Sequence, residues 1–105
     1  MKETKFSPSF KKDLKKVSRY PKFSSEELKK CIETLATGNN LDSKYSDHKM
    51  AKQSRSEYIG TRNFHLKSNI CVIYRMDTDG ISLIRIGSHQ DLQLTESTNL
   101  ITESI

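Results

Sequence analysis

Three β-rich runs follow one another in the C-terminal half with only short turns between them. That spacing fixes most of what the chain can become. Tyr58–Leu66 is the first run, Asn69–Met76 the second and Ile81–Ile86 the third. Short connections between successive strands favour an antiparallel meander. The second run has the β-rich centre Ile70-Cys71-Val72-Ile73-Tyr74. Asp77-Thr78-Asp79-Gly80 reads as a turn, with Gly80 expected at positive φ.

The N-terminal half has a different period. Lys2–Phe6 is a short extended candidate, and Ser7-Pro8 then supplies an N-cap and a first helical residue. Phe10, Leu14 and Val17 recur at i, i+4 and i+7, one apolar stripe of a helix that Tyr20-Pro21 ends. Ser24 and Glu27 have capping-box spacing ahead of a second stripe, Leu28, Cys31, Ile32 and Leu35, which Gly38 terminates. Two amphipathic helices with a short link predict a helical hairpin. The expected fold is therefore α+β: a small antiparallel sheet with the two-helix hairpin on one face, in the order β-α-α-β-β-β. Residues 39–57 are a long polar connection, of the kind that often carries function. Residues 88–93 suit one helical turn. Residues 1–93 make one domain, and 94–105 form an acidic tail.

At 105 residues there is room for one domain only. The net charge of +5 is concentrated at one end: residues 1–30 carry ten Lys/Arg and four Asp/Glu, residues 31–105 eight and nine. A basic end suits a polyanion or an acidic protein partner, or is simply a solvated helix face. No apolar run approaches the ~20 residues of a membrane span, and Met-Lys-Glu-Thr-Lys leads into no apolar segment of a secretory signal. Cys31 and Cys71 have no metal-ligand spacing and read as buried reduced thiols of a cytoplasmic protein.

The candidate chemistry lies in three histidines, His48, His65 and His89. His65 and His89 follow strands that run the same way, so both leave the sheet at one edge. His48 reaches them if the long connection folds over that edge. Converging imidazoles suit general acid–base work near neutral pH. Arg85 and Arg62 are candidate cations for a phosphate. Together these groups would serve RNA cleavage, in which a ribose 2′-OH loses its proton, attacks the adjacent phosphate, and the 5′-oxygen gains a proton. Plainer readings stand beside this one. Arg85 can be a sheet-face ion-pair partner, and Asp47 can orient His48 or cap a turn. Histidines spaced by 17 and 24 residues match no compact zinc motif, and nothing calls for a metal or organic cofactor.

The same residues carry a resemblance. Asp47-His48, Arg62-Asn63-Phe64-His65, Ile73-Tyr74 and Arg85-Ile86-Gly87-Ser88-His89 resemble, in order, the motifs of the YafQ branch of the RelE/ParE toxin superfamily. The resemblance implies two helices on a small antiparallel sheet and a type II toxin that cleaves mRNA in the ribosomal A site. It implies a cognate antitoxin as partner, and operator DNA through the antitoxin complex. His48, His65 and His89 fall on the family's catalytic histidines, and Arg85 on its phosphate-contacting arginine. The chain departs from the pattern at Asn69, where the family has an acid, at Ile70, and at Gln93, where it has a large aromatic. An amide at Asn69 can donate a hydrogen bond to substrate but takes up no proton. Two alternatives remain: a ParE-like gyrase inhibitor that cuts no RNA, and an inactive toxin that only binds its antitoxin.

Overall fold

In the computed structural model the described residues form a five-stranded sheet that carries two main helices on one face. The structure describes residues 3–49, 60–66 and 69–92, with only the backbone of 89 and 90. Strand β1 (Glu3–Phe6) leads into α1 (Pro8–Val17) and α2 (Ser25–Ala36). A 3-10 turn (Ser43–Tyr45) and β2 (His48–Lys49) follow. Then come β3 (Arg62–His65), β4 (Ile70–Met76), β5 (Gly80–Ser88) and α3 (His89–Leu92). The sheet order is β1-β5-β4-β3-β2.

The expected meander is present as β3-β4-β5, all antiparallel. The sheet as a whole is mixed, because β1 adds parallel to β5, with Glu3 opposite Gly80 and Phe6 opposite Leu83. Gly80 does not take the expected positive φ. Its glycine serves close packing instead, since a Cβ there would overlap the Glu3 carbonyl oxygen of β1. The long connection is partly built. Asp42 caps the 3-10 turn through the Lys44 N–H, Ser46 turns left-handed at φ 50°, and β2 pairs with β3.

Both helices begin where the sequence places caps. Ser7 accepts from the Phe10 N–H at 3.0 Å with Pro8 in the first turn, and Ser24 accepts from the Glu27 N–H at 3.2 Å. α2 closes with Gly38 N–H to the Leu35 carbonyl and Asn39 N–H to the Thr34 carbonyl. Their apolar stripes meet the sheet face formed by Phe64, Leu66, Ile70, Val72, Tyr74, Ile81, Leu83 and Ile86. The opposite face carries a smaller cluster of Cys71, Ile73 and Leu92 with Ile84 against it. Cys31 and Cys71 are free and buried, and burial pushes their thiols up to about 11 and about 12. Among the described residues no helix is long and apolar enough to cross a membrane.

Phe10 is fully buried between α1 and the sheet. Phe10→Ala should cost about 3–5 kcal/mol, read as a lower urea midpoint at unchanged m-value. Gly80→Ala should release β1 selectively, so amide exchange at Thr4–Phe6 accelerates while β4 stays protected. Unchanged exchange in β1 would show that the strand tolerates a side chain there.

Candidate functional site

His48 reaches the other imidazoles by strand pairing. It sits in β2 opposite Asn63 of β3, and its ring stacks on His65 with centroids 6.0 Å apart and planes 14° from parallel. Its Nδ1 lies 2.6 Å from the Ser46 carbonyl oxygen. A carbonyl only accepts, so Nδ1 carries the proton, and the neutral ring has its lone pair on Nε2. His48 is exposed and His65 half-buried. The tight left-handed turn at Ser46 is what presents both the carbonyl and the strand.

His89 opens α3, directly after β5. The register His65–Cys71–Gly87 across β3, β4 and β5 puts it at the sheet edge where His65 lies. Only its backbone is described. Asn69 sits in the β3–β4 turn at that end, exposed, with φ 63°. Its N–H donates to the Leu66 carbonyl, so this residue has a conformational task, for which asparagine is well suited. Gln93 and residues 94–105 lie outside the described residues.

The two arginines are not brought together. Arg62 pairs across β3–β4 with Tyr74, on the side facing the helices. Its Nε donates to Asp47 Oδ1 at 3.2 Å and to Tyr74 Oη at 3.3 Å. The Tyr74 hydroxyl donates to the same Asp47 oxygen at 2.7 Å. Burial first, then this hydrogen bond to Asp47, pushes the Tyr74 hydroxyl far up. Arg62 and Tyr74 thus pin Asp47, the residue just before His48. Arg85 lies opposite Ile73 on β4 and forms a two-point pair with Asp13 of α1, Nε–Oδ2 2.5 Å and Nη2–Oδ1 3.1 Å. Asp13 also accepts from the Ile86 N–H at 3.2 Å. The ion-pair alternative for Arg85 is therefore present in the structure.

Other residues join the site that the sequence reading passed over. Asn63 is 3% exposed, and among the described residues its Oδ1 has no hydrogen-bond partner. It neighbours both His48, its strand partner, and His65, two residues on. Asp91 in α3 gathers Tyr20 Oη at 2.6 Å, Lys16 Nζ at 3.0 Å and the Ser88 N–H at 3.1 Å. Two signals were legible: Asp13 is the one acid within the lysines of 11–16, and Ser88 and Asp91 have capping-box spacing. Among the described residues no group of three His, Cys, Asp or Glu side chains is placed to hold a metal ion.

Burial alone would raise the Asp91 carboxyl. The hydrogen bonds from Tyr20, Ser88 and Lys16 outweigh it and hold the group down at about 2, against an ordinary 3.8. A depressed carboxyl stabilises the fold above its unfolded value and loses that contribution as pH falls through the folded one. Urea midpoints of the wild type should therefore drop between about pH 4 and pH 2 more steeply than those of Asp91→Asn. Parallel curves would contradict the assignment.

Residues 2–94 match the family described as the bacterial toxin of type II toxin-antitoxin system, YafQ. A metal-bound toxin from Helicobacter pylori is similar at 31% identity, over 88% of this chain and 99% of that one, with a TM-score of 0.73. A copper-bound mutant toxin from the same organism is 28% identical over 88% and 99%, with a TM-score of 0.75. The toxin fold in the E. coli DinJ–YafQ complex matches at a TM-score of 0.71 and 24% identity, over 88% and 98%. No curated protein matches in sequence.

Proposed function

The chain belongs to the YafQ family of type II toxins, and from that premise we propose that it cleaves mRNA on the ribosome by histidine acid–base catalysis. The observation that carries this reading is the stacked His48–His65 pair at the edge where His89 also emerges. His48 is the general base: Nε2 takes the proton of a ribose 2′-OH, because Nδ1 is committed to the Ser46 carbonyl. The 2′-oxygen attacks the adjacent phosphorus, the bond to the 5′-oxygen breaks, and His89 protonates the leaving oxygen. The products are a 2′,3′-cyclic phosphate and a 5′-hydroxyl. His65 lies behind the base, with its ring stacked near that of His48. Arg85, fixed by Asp13, contacts the phosphate from β5. Asn69 donates to the substrate from the turn beside the histidines. Arg62 acts at one remove, holding Asp47 and thereby the strand of His48.

The partners in this reading are the ribosome with its message and a cognate antitoxin, and the site of action is the cytoplasm. A toxin of this family from E. coli is known in complex with its antitoxin DinJ. Operator DNA would be bound through the toxin–antitoxin complex. A second reading, a toxin that binds its antitoxin without cutting RNA, is favoured by one observation: Asp13 already neutralises the Arg85 guanidinium.

Inducible expression of the wild type beside His89→Ala separates these readings. The nuclease should arrest growth and produce new mRNA 5′ ends. His89→Ala should lose at least about a hundredfold in cleavage rate on purified ribosomes. Coexpressed antitoxin should restore growth. Arrest without new ends would point to a gyrase-type target, and no arrest by a folded wild type to the binding-only toxin.

A further inference from the structure

The segment that carries His89 is held from outside the sheet. Ser88 and Asp91 form a reciprocal cap around it: the Ser88 N–H donates to Asp91 Oδ2 at 3.1 Å, and the Asp91 N–H donates to Ser88 Oγ at 3.0 Å. His89 is the first residue inside that cap. Gly87 allows the turn to fold back this closely, since a Cβ there would lie 3.0 Å from Asp91 Cβ and 3.3 Å from Leu92 Cδ2. Leu92 is 1% exposed and anchors the far end of α3 against Cys71 and Ile73.

Two further contacts come from α1 and the turn that follows it. Lys16 Nζ donates to Asp91 Oδ1 at 3.0 Å, and the Tyr20 hydroxyl donates to Oδ2 at 2.6 Å. Lys16 is mostly exposed, so its ion pair contributes little. The Tyr20 bond is short, charge-assisted and partly buried, and is the stronger tie. Nothing in the cleavage chemistry requires these side chains, yet they converge on the turn that bears the general acid.

Building on the nuclease reading above, we infer that Asp91 is the positioning residue for His89, with Tyr20 as its anchor on the helical layer. Tyr20 and Lys16 hold Asp91, Asp91 holds the cap with Ser88, and the cap fixes the backbone from which the His89 imidazole acts. General acid catalysis depends steeply on placement, and a displacement near 1 Å costs on the order of a hundredfold.

The test is single-turnover cleavage of a defined message on programmed ribosomes, with toxin varied to saturation. Tyr20→Phe keeps the ring and removes the donor. It should lower the maximal rate about tenfold while the half-saturating toxin concentration stays the same. Asp91→Ala should lower it further, and Asp91→Asn, which keeps an acceptor, should recover part of the loss. The decisive comparison is with His89→Ala, in which Tyr20→Phe should change nothing more, because the anchor acts through that imidazole. An equal loss in both backgrounds, or no loss from either Tyr20→Phe or Asp91→Ala, overturns the inference and leaves the nuclease intact. A folded wild type that cleaves no message overturns the nuclease reading and this inference with it. Lys16→Met, which removes the exposed tie, should lose less than Tyr20→Phe; a larger loss would overturn the ranking of the two ties.

Discussion

A single hydroxyl sets the direction of α1, and much of the molecule follows from it. Ser7 Oγ donates to the Ile84 carbonyl at 2.8 Å and accepts from the Phe10 N–H at 3.0 Å. The Ser7 N–H meets the Leu83 carbonyl at 3.0 Å. One residue thus ends β1, caps α1 and ties both to β5. Beyond that point β1 stops pairing, and α1 takes its place beside the second half of β5. Asp13 therefore meets Arg85, and Lys16 and Tyr20 meet Asp91. The apolar stripe of the same helix turns Phe10 and Val17 into the core. Position along α1 decides polar contact, and angle around it decides burial.

The histidines are supported in different ways. His48 stands on a two-residue strand, pinned through its neighbour Asp47 by Arg62 and Tyr74. His65 belongs to a strand with partners on both sides. His89 begins a four-residue helix that could not hold itself in water and is stabilised by a cap, a buried leucine and α1. Two of these supports, and that of Arg85, turn on a carboxylate: Asp47 before His48, Asp91 behind His89 and Asp13 on Arg85. In a chain of net positive charge, these acids are spent internally.

The periodic elements were legible because their signals are local. Stripes at helical spacing, Ser7 and Ser24 as caps, and a β-rich run from Ile70 can all be read within a dozen residues. The common edge of His65 and His89 followed from strand direction alone. The parallel pairing of β1 was not legible, since four residues carry little pattern and their partner is 77 positions away. Gly80 was assigned the wrong physical reason for the same cause: the atom it must avoid belongs to that distant strand. Arg85 illustrates a different limit. Its charge was evident, but its pairing with Asp13 depends on how far α1 runs along β5, which is a tertiary fact.

The strand that organises the sheet is also the last made among the described strands. β5 is the sheet partner of both β1 and β4, and its hydrogen bonds with the N-terminal segment span 72 to 77 residues. During synthesis β1 and α1 emerge first, with no strand to pair with until residue 80 and beyond leaves the ribosome. Such separations make for slow, late assembly. A chain that stops short of β5 has the helices, β3 and β4, and His48 and His65. It lacks the strand on which the N-terminal layer closes, so closure of that layer and arrival of His89 wait on the same segment, residues 80–92.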